Sequence, residues 1–170
     1  MKATAIAAFL VLTALAQVTV APLFPVAGAV ADLPLVALLI LTMYAGPTSV
    51  MLGLPFVAIC AGFASDRAPG LLLFGYLPLL PLAVGIEGLA VPLGKYVRLL
   101  LVGVATGLWL RGVLALSSVA QGADPAFGAL VGEVLIPGAF LDIALLTVAY
   151  VPFRLIGWSG RGMTLQQGGY

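Results

Sequence analysis

Polar positions along this chain are sparse and clustered, so the pattern is one of long apolar runs separated by short breaks rather than of amphipathic alternation. Residues 3 to 22 form an uncharged run after Lys2, closed by Pro22, Pro25 and Gly28 ahead of Asp32. Residues 33 to 64 are a second apolar block, interrupted by the breaker pair Gly46-Pro47. Ser65-Asp66-Arg67-Ala68-Pro69-Gly70 reads as a compact polar turn. Residues 71 to 86 form the next run, bent by Pro78 and Pro81, which a membrane helix tolerates because neighbouring groups satisfy the freed carbonyls. Glu87 to Arg98 reads as a loop, 99 to 120 as a fifth segment ended by Gln121-Gly122-Ala123-Asp124-Pro125, and 128 to 152 as a sixth.

A spanning helix needs roughly 20 apolar residues. The runs therefore predict an all-α polytopic membrane bundle of about six transmembrane helices over residues 1–152, followed by a short cytoplasmic tail over 153–170. The first half of the 33–64 block would reach only about 20 Å as a helix. A re-entrant hairpin and two short tilted helices both return the chain to the same side, and both fit. With both termini inside, Lys2, Lys95, Arg98, Arg154 and Arg161 are cytoplasmic, Arg67 is outside and Arg111 lies within the fifth segment, a clear positive-inside bias. Ala14-Leu15-Ala16 resembles a leader cleavage site, but the apolar run continues into Val18 and Val20, so it is read as a retained first span.

Composition sharpens this. Of 170 residues, 63% are apolar and only 8% charged, too few to build a water-facing shell. The expected setting is a membrane, with the lipid bilayer as solvent. Histidine is absent, which removes imidazole bases and His-ligated metals, and Cys60 is the only cysteine, with no disulfide partner in the chain. A net charge of +1 offers no basic stripe for nucleic acid. No metal, no cofactor and no catalytic residue is expected. Ser117, Ser118 and Ser159 have no base beside them in the pattern, so a non-enzymatic protein is expected.

Charges inside a bilayer cost at least a few kcal/mol and face a partner or a cavity. Arg111, Glu133 and Asp142 qualify. On antiparallel fifth and sixth segments, Arg111 and Asp142 share a depth and are read as a structural intramembrane ion pair, ahead of a proton or ion relay. Glu133 and Asp142 are nine residues apart and point to opposite faces, so they do not form a catalytic carboxylate pair.

Small residues at four-residue spacing allow helix backbones to approach closely. Gly103 with Gly107, Gly128 with Gly132, and Ala58 with Gly62 are the candidates, for packing within the bundle or for a partner interface. Tyr96, Tyr150 and Trp158 fall near the proposed inner boundary, where aromatic belts form, and Trp109 lies deeper, packed or facing lipid.

Order and motif together resemble the rod-shape-determining protein MreD family. The first span ends in Ala16-Gln17-Val18-Thr19 and Pro22 to Pro25, and Asp32-Leu33-Pro34 opens the second block. Ala45-Gly46-Pro47, Gly53, Gly62 to Asp66, Pro69-Gly70 and Gly75-Tyr76 follow, so the likeness covers residues 10 to 86, with Asp66, Pro69 and Gly70 as the family-motif turn. The family often places charged or polar residues around the Gly-Pro; here Tyr44 and Ala45 precede it and Thr48 and Ser49 follow, so contacts of those charges are not carried over. The resemblance implies a fold like the S component of energy-coupling-factor transporters. It also implies a scaffold role in the cell-elongation machinery, supporting peptidoglycan synthesis and cell shape. The partners it implies are an MreC-like bitopic protein, a RodA-type polymerase and a class B penicillin-binding transpeptidase, with self-association as a homo-oligomer a further option.

The competing reading is a solute-binding S component of a vitamin transporter. It needs a polar pocket at the outer end, and Leu23-Phe24-Pro25-Val26-Ala27 at that end is almost wholly apolar, which favours the scaffold.

Overall fold

A computed structural model describes residues 2–26, 28–88, 94–123 and 127–155. Ala27, Asp124, Pro125, the middle of the 87–98 segment and the tail beyond Leu155, with Trp158, Ser159 and Arg161, lie outside the described residues. Among the described residues every regular element is helical: α1 (Lys2–Thr19), a 3-10 turn (Ala21–Leu23), α2 (Leu33–Ala45), α3 (Pro47–Ala64), α4 (Pro69–Tyr76), α5 (Leu79–Gly88), α6 (Lys95–Ala120), α7 (Phe127–Ala129), a π-helical stretch (Leu130–Leu135) and α8 (Ile136–Leu155). Among the described residues, four helical stretches are long and apolar enough to cross a membrane: Thr4–Leu23, Pro69–Ile86, Lys95–Ala120 and Leu130–Pro152. Large apolar side chains such as Leu52, Phe63, Leu116 and Phe140 are exposed around the outside, as expected of a surface that faces lipid.

The 33–64 block divides into α2 and α3 at Gly46, whose φ of 81° is open to glycine at little cost, and Pro47 starts the next helix. The short α2 is the centre of the molecule. Pro34 to Leu39 are buried in succession, with Leu41 and Thr42, so this helix is covered on every side. It contacts α1, α3, α6 and α8. Its length of about 20 Å is sufficient because its neighbours, rather than lipid, surround it.

Proline and glycine account for the irregularities. Pro78 has no N–H for the Phe74 carbonyl, and the run divides there into α4 and α5. Trp109 Nε1 donates to that carbonyl at 3.3 Å, and its ring meets Phe74 at a centroid distance of 5.6 Å. The half-exposed indole is thus packed on Phe74 and open on its other side. In the last segment Ile136 N bonds Val131 O, five residues back, and Pro137 follows without a donor, so the ladder widens into a π-turn.

Several boundaries differ from the sequence expectation: α4 already begins at Pro69 and α5 runs to Gly88. The segment to Arg98 is not all loop, since α6 begins at Lys95 after the N-cap Gly94, and α8 runs past 152 to Leu155. Charged and amphipathic residues such as Lys95 and Tyr96 extend a helix beyond its apolar core, where hydropathy no longer marks it. Tyr96 and Tyr150 meet at 4.8 Å between ring centroids, and the Tyr96 hydroxyl shares a 2.6 Å hydrogen bond with Thr147 Oγ1, joining that end of α6 to α8.

The turn after α3 is closed by Arg67 N donating to Gly62 O at 3.0 Å, with Asp66 in the left-handed region at φ 53°. A Cβ on Gly62 would lie 2.9 Å from Pro69 Cα, so only glycine lets the chain fold back this tightly. Gly62→Ala is therefore expected to cost about 1–3 kcal/mol, an overpacking penalty against backbone. Gly70→Ala, where a Cβ meets nothing within 4 Å, stays within about 0.5 kcal/mol. Thermal unfolding of both variants in detergent measures the contrast.

Candidate functional site

The polar centre starts from one residue. Asp32 precedes Leu33-Pro34 and adopts an extended conformation, φ −94° and ψ 91°, as the N-cap of α2; its Oδ1 accepts from Leu35 N at 2.8 Å. The other orphan donors of that helix end are also met. Leu33 N donates to Gln17 Oε1 at 2.8 Å, Pro34 has no donor, and Val36 N bonds Asp32 O at 3.1 Å. Asp32 N itself donates to Asp142 Oδ1 at 2.8 Å. The start of the central helix is thus held by side chains of α1 and α8.

Tyr76 at the end of α4, 2% exposed, donates its hydroxyl to Asp32 Oδ1 at 3.1 Å and lies 3.2 Å from Oδ2. On the other side Arg111 Nη1 meets Asp142 Oδ2 at 2.7 Å, with the two residues 8% and 5% exposed. The chain Tyr76, Asp32, Asp142, Arg111 therefore links α4, the start of α2, α8 and α6. Glu133 lies on the exposed side of the π-turn, away from this centre.

Two glycines make room for the ion pair. Gly107 lies one turn before Arg111 on α6, and a Cβ there would sit 3.1 Å from both Arg111 Nη1 and Asp142 Oδ2. Gly138 lies one turn before Asp142 on α8, and its Cβ would collide with the guanidinium at Nε and Cζ. Neither glycine has a positive φ, so space rather than backbone freedom is what they supply. Thr106 Oγ1, in the same turn as Gly107, is fully buried with no hydrogen-bond partner among the described residues.

The small-residue pairs divide. A Cβ on Gly103 would press on Leu39, Ala58 is buried in the core, and Gly62 lies under Pro69, so these positions serve packing inside the chain. Gly128 and Gly132 are exposed and a Cβ on either would meet nothing within 4 Å.

Beside the polar centre lies a pocket of about 350 Å³, at the end of the bundle where α1 and α3 finish and α2 and α4 begin. Gln17, Asp32, Ser65, Arg67 and Tyr76 line it with Val18, Pro22, Val30, Ala61 and Leu72. The expectation of an apolar outer end, drawn from residues 23–27, does not describe this pocket. Its polar groups come from five separate points of the sequence, none of them in that segment. Asp32 and Tyr76 were absent from the sequence-derived site. The available signal was Asp-Leu-Pro, an N-cap residue ahead of a proline in the first helical turn. Among the described residues no three His, Cys, Asp or Glu side chains gather as a metal site.

No protein-family model, curated protein or solved structure matches the chain.

Replacing one member of the ion pair leaves a buried charge unpaired, which costs about 3–5 kcal/mol. Arg111→Leu or Asp142→Leu alone should therefore cut the yield of folded protein in detergent. The double variant recovers most of it but retains a deficit of about 1–3 kcal/mol, because Asp32 N–H loses its acceptor. Gly138→Ala should destabilise by about 1–3 kcal/mol in the native background and much less beside Arg111→Leu, where no guanidinium occupies the space. Simple additivity in either cycle contradicts the geometry.

Proposed function

We propose that this protein is a non-enzymatic membrane scaffold of the MreD type. In this reading it is a six-segment bundle in the bacterial inner membrane with both termini cytoplasmic, in which the central α2 and its neighbour α3 cross as short helices. It binds a bitopic MreC-like protein and helps to place a RodA-type polymerase and its transpeptidase. The observation that carries the reading is the exposed pair Gly128 and Gly132, one helical turn apart, where among the described residues a Cβ on either would meet nothing within 4 Å. A partner helix can approach such a face closely. The residues that carry the resemblance add support: Asp32 and Tyr76 belong to the polar centre, Gly46 breaks α2 from α3, and Gly62 admits Pro69.

Co-purification from a rod-shaped host tests it. The native chain should retain the bitopic partner, and Gly128→Leu with Gly132→Leu should lower its recovery about tenfold, equivalent to about 1.4 kcal/mol. Depletion should round the cells. A cysteine introduced at Gln166 should stay unlabelled by an impermeant reagent applied to intact cells.

A second reading, solute binding by a transporter S component, is favoured by the pocket between Gln17, Asp32, Arg67 and Tyr76. Depletion that leaves shape intact and abolishes uptake of a vitamin would select it.

A further inference from the structure

The polar centre holds two carboxylates, Asp32 and Asp142, against one guanidinium, Arg111. Asp142 has the guanidinium of Arg111 on one oxygen and Asp32 N–H on the other. Asp32 has no cation at ion-pair distance among the described residues: its Oδ1 accepts from Leu35 N and the Tyr76 hydroxyl, and Oδ2 has only the longer contact to Tyr76. With both carboxylates ionised the centre has one more negative charge than positive, and the carboxylate without a cation is the one that lines the pocket. Charges in an apolar bundle face a partner or a cavity.

The rest of the pocket has the opposite preference. Arg67, exposed on the α3–α4 turn, lines the same space, and Gln17, whose Oε1 is occupied by Leu33 N, has its amide donors left over. An acceptor on half-buried Asp32 and donors on the exposed turn fit a small dipolar group with a cation at one end and an anion at the other. Beside the lining residue Pro22, Leu23 and Phe24 are each 71% exposed and offer an apolar track next to the pocket.

We propose that this pocket binds an ethanolamine phosphate group, its primary ammonium donating to Asp32 and its phosphate accepting from Arg67 and Gln17. The group is supplied either by the headgroup of phosphatidylethanolamine, with the acyl chains lying along Leu23 and Phe24, or by a free phosphoethanolamine. The inference rests on neither functional reading, since a scaffold can hold a lipid and a transporter component can hold a solute.

The test is native mass spectrometry of the full chain in detergent. The probes are phosphatidylethanolamine, phosphatidylcholine and phosphatidylglycerol of matched chain length, and soluble phosphoethanolamine. Phosphatidylethanolamine should bind about tenfold more tightly than the other two lipids, because a quaternary ammonium has no N–H to donate and glycerol has no cation. Binding of the lipid alone identifies the headgroup as the source, and binding of soluble phosphoethanolamine identifies a free solute. Arg67→Gln, on an exposed turn, should weaken binding about tenfold without loss of fold. Asp32→Asn, which keeps an oxygen for Leu35 N, should abolish the preference for ethanolamine over choline. If Asp32→Asn does not fold, Arg67→Gln decides. Equal retention of the three lipids, no retention of any probe, or binding unchanged by Arg67→Gln overturns the proposal.

Discussion

Charge that is removed from water must be met within the protein, and that constraint organises this molecule. In an apolar bundle the alternative to a partner is several kcal/mol of lost solvation per ion. Arg111 and Asp142 satisfy each other, and Asp142 then reaches Asp32 N–H, so the pair is fastened to the start of the central helix. Through Tyr76 the same network extends to α4. Four elements distant in sequence are thereby held in one arrangement, and the glycines at 107 and 138 are explained by it, since a side chain at either would displace the pair.

The position of α2 follows from the same centre. A 13-residue helix is too short to face lipid across a whole hydrocarbon core of about 30 Å. Surrounded by α1, α3, α6 and α8, it faces protein instead, and its polar end is capped within the bundle by Gln17, Asp32 and Asp142. Backbone groups freed elsewhere are treated alike. Pro78 releases the Phe74 carbonyl and Trp109 takes it up, while Pro137 is accommodated by a π-turn. The apolar exterior and the polar interior are two expressions of one rule, that each group is placed where its solvation is met.

Among the described residues, the exposed glycines at 128 and 132 and the pocket at the α1–α2 and α3–α4 turns lie on different elements. A partner helix on the first, as proposed, and a small dipolar group in the second would therefore not compete.

How much could be read from the chain alone differs between fold and site. Long apolar runs, few charges and breakers at Gly46-Pro47 and Pro69 announce membrane helices and most of their limits, because hydropathy and backbone restriction are local properties. The ends of α6 and α8 escaped that reading, since helices continue through residues such as Lys95 whose polarity resembles a loop. Arg111 and Asp142 were candidates because depth along antiparallel helices can be counted, and the structure sets them 2.7 Å apart. Which small residues face inward, by contrast, depends on helix rotation, so Gly103 and Gly62 could not be told from Gly128 and Gly132. Asp32, Tyr76, Gln17 and Arg67 show no shared spacing at all. The sequence determined that this chain forms apolar helices long enough to cross a membrane and where they break; tertiary packing alone decided that four polar side chains from separate segments meet around one pocket, because that meeting depends on through-space distance rather than on separation along the chain.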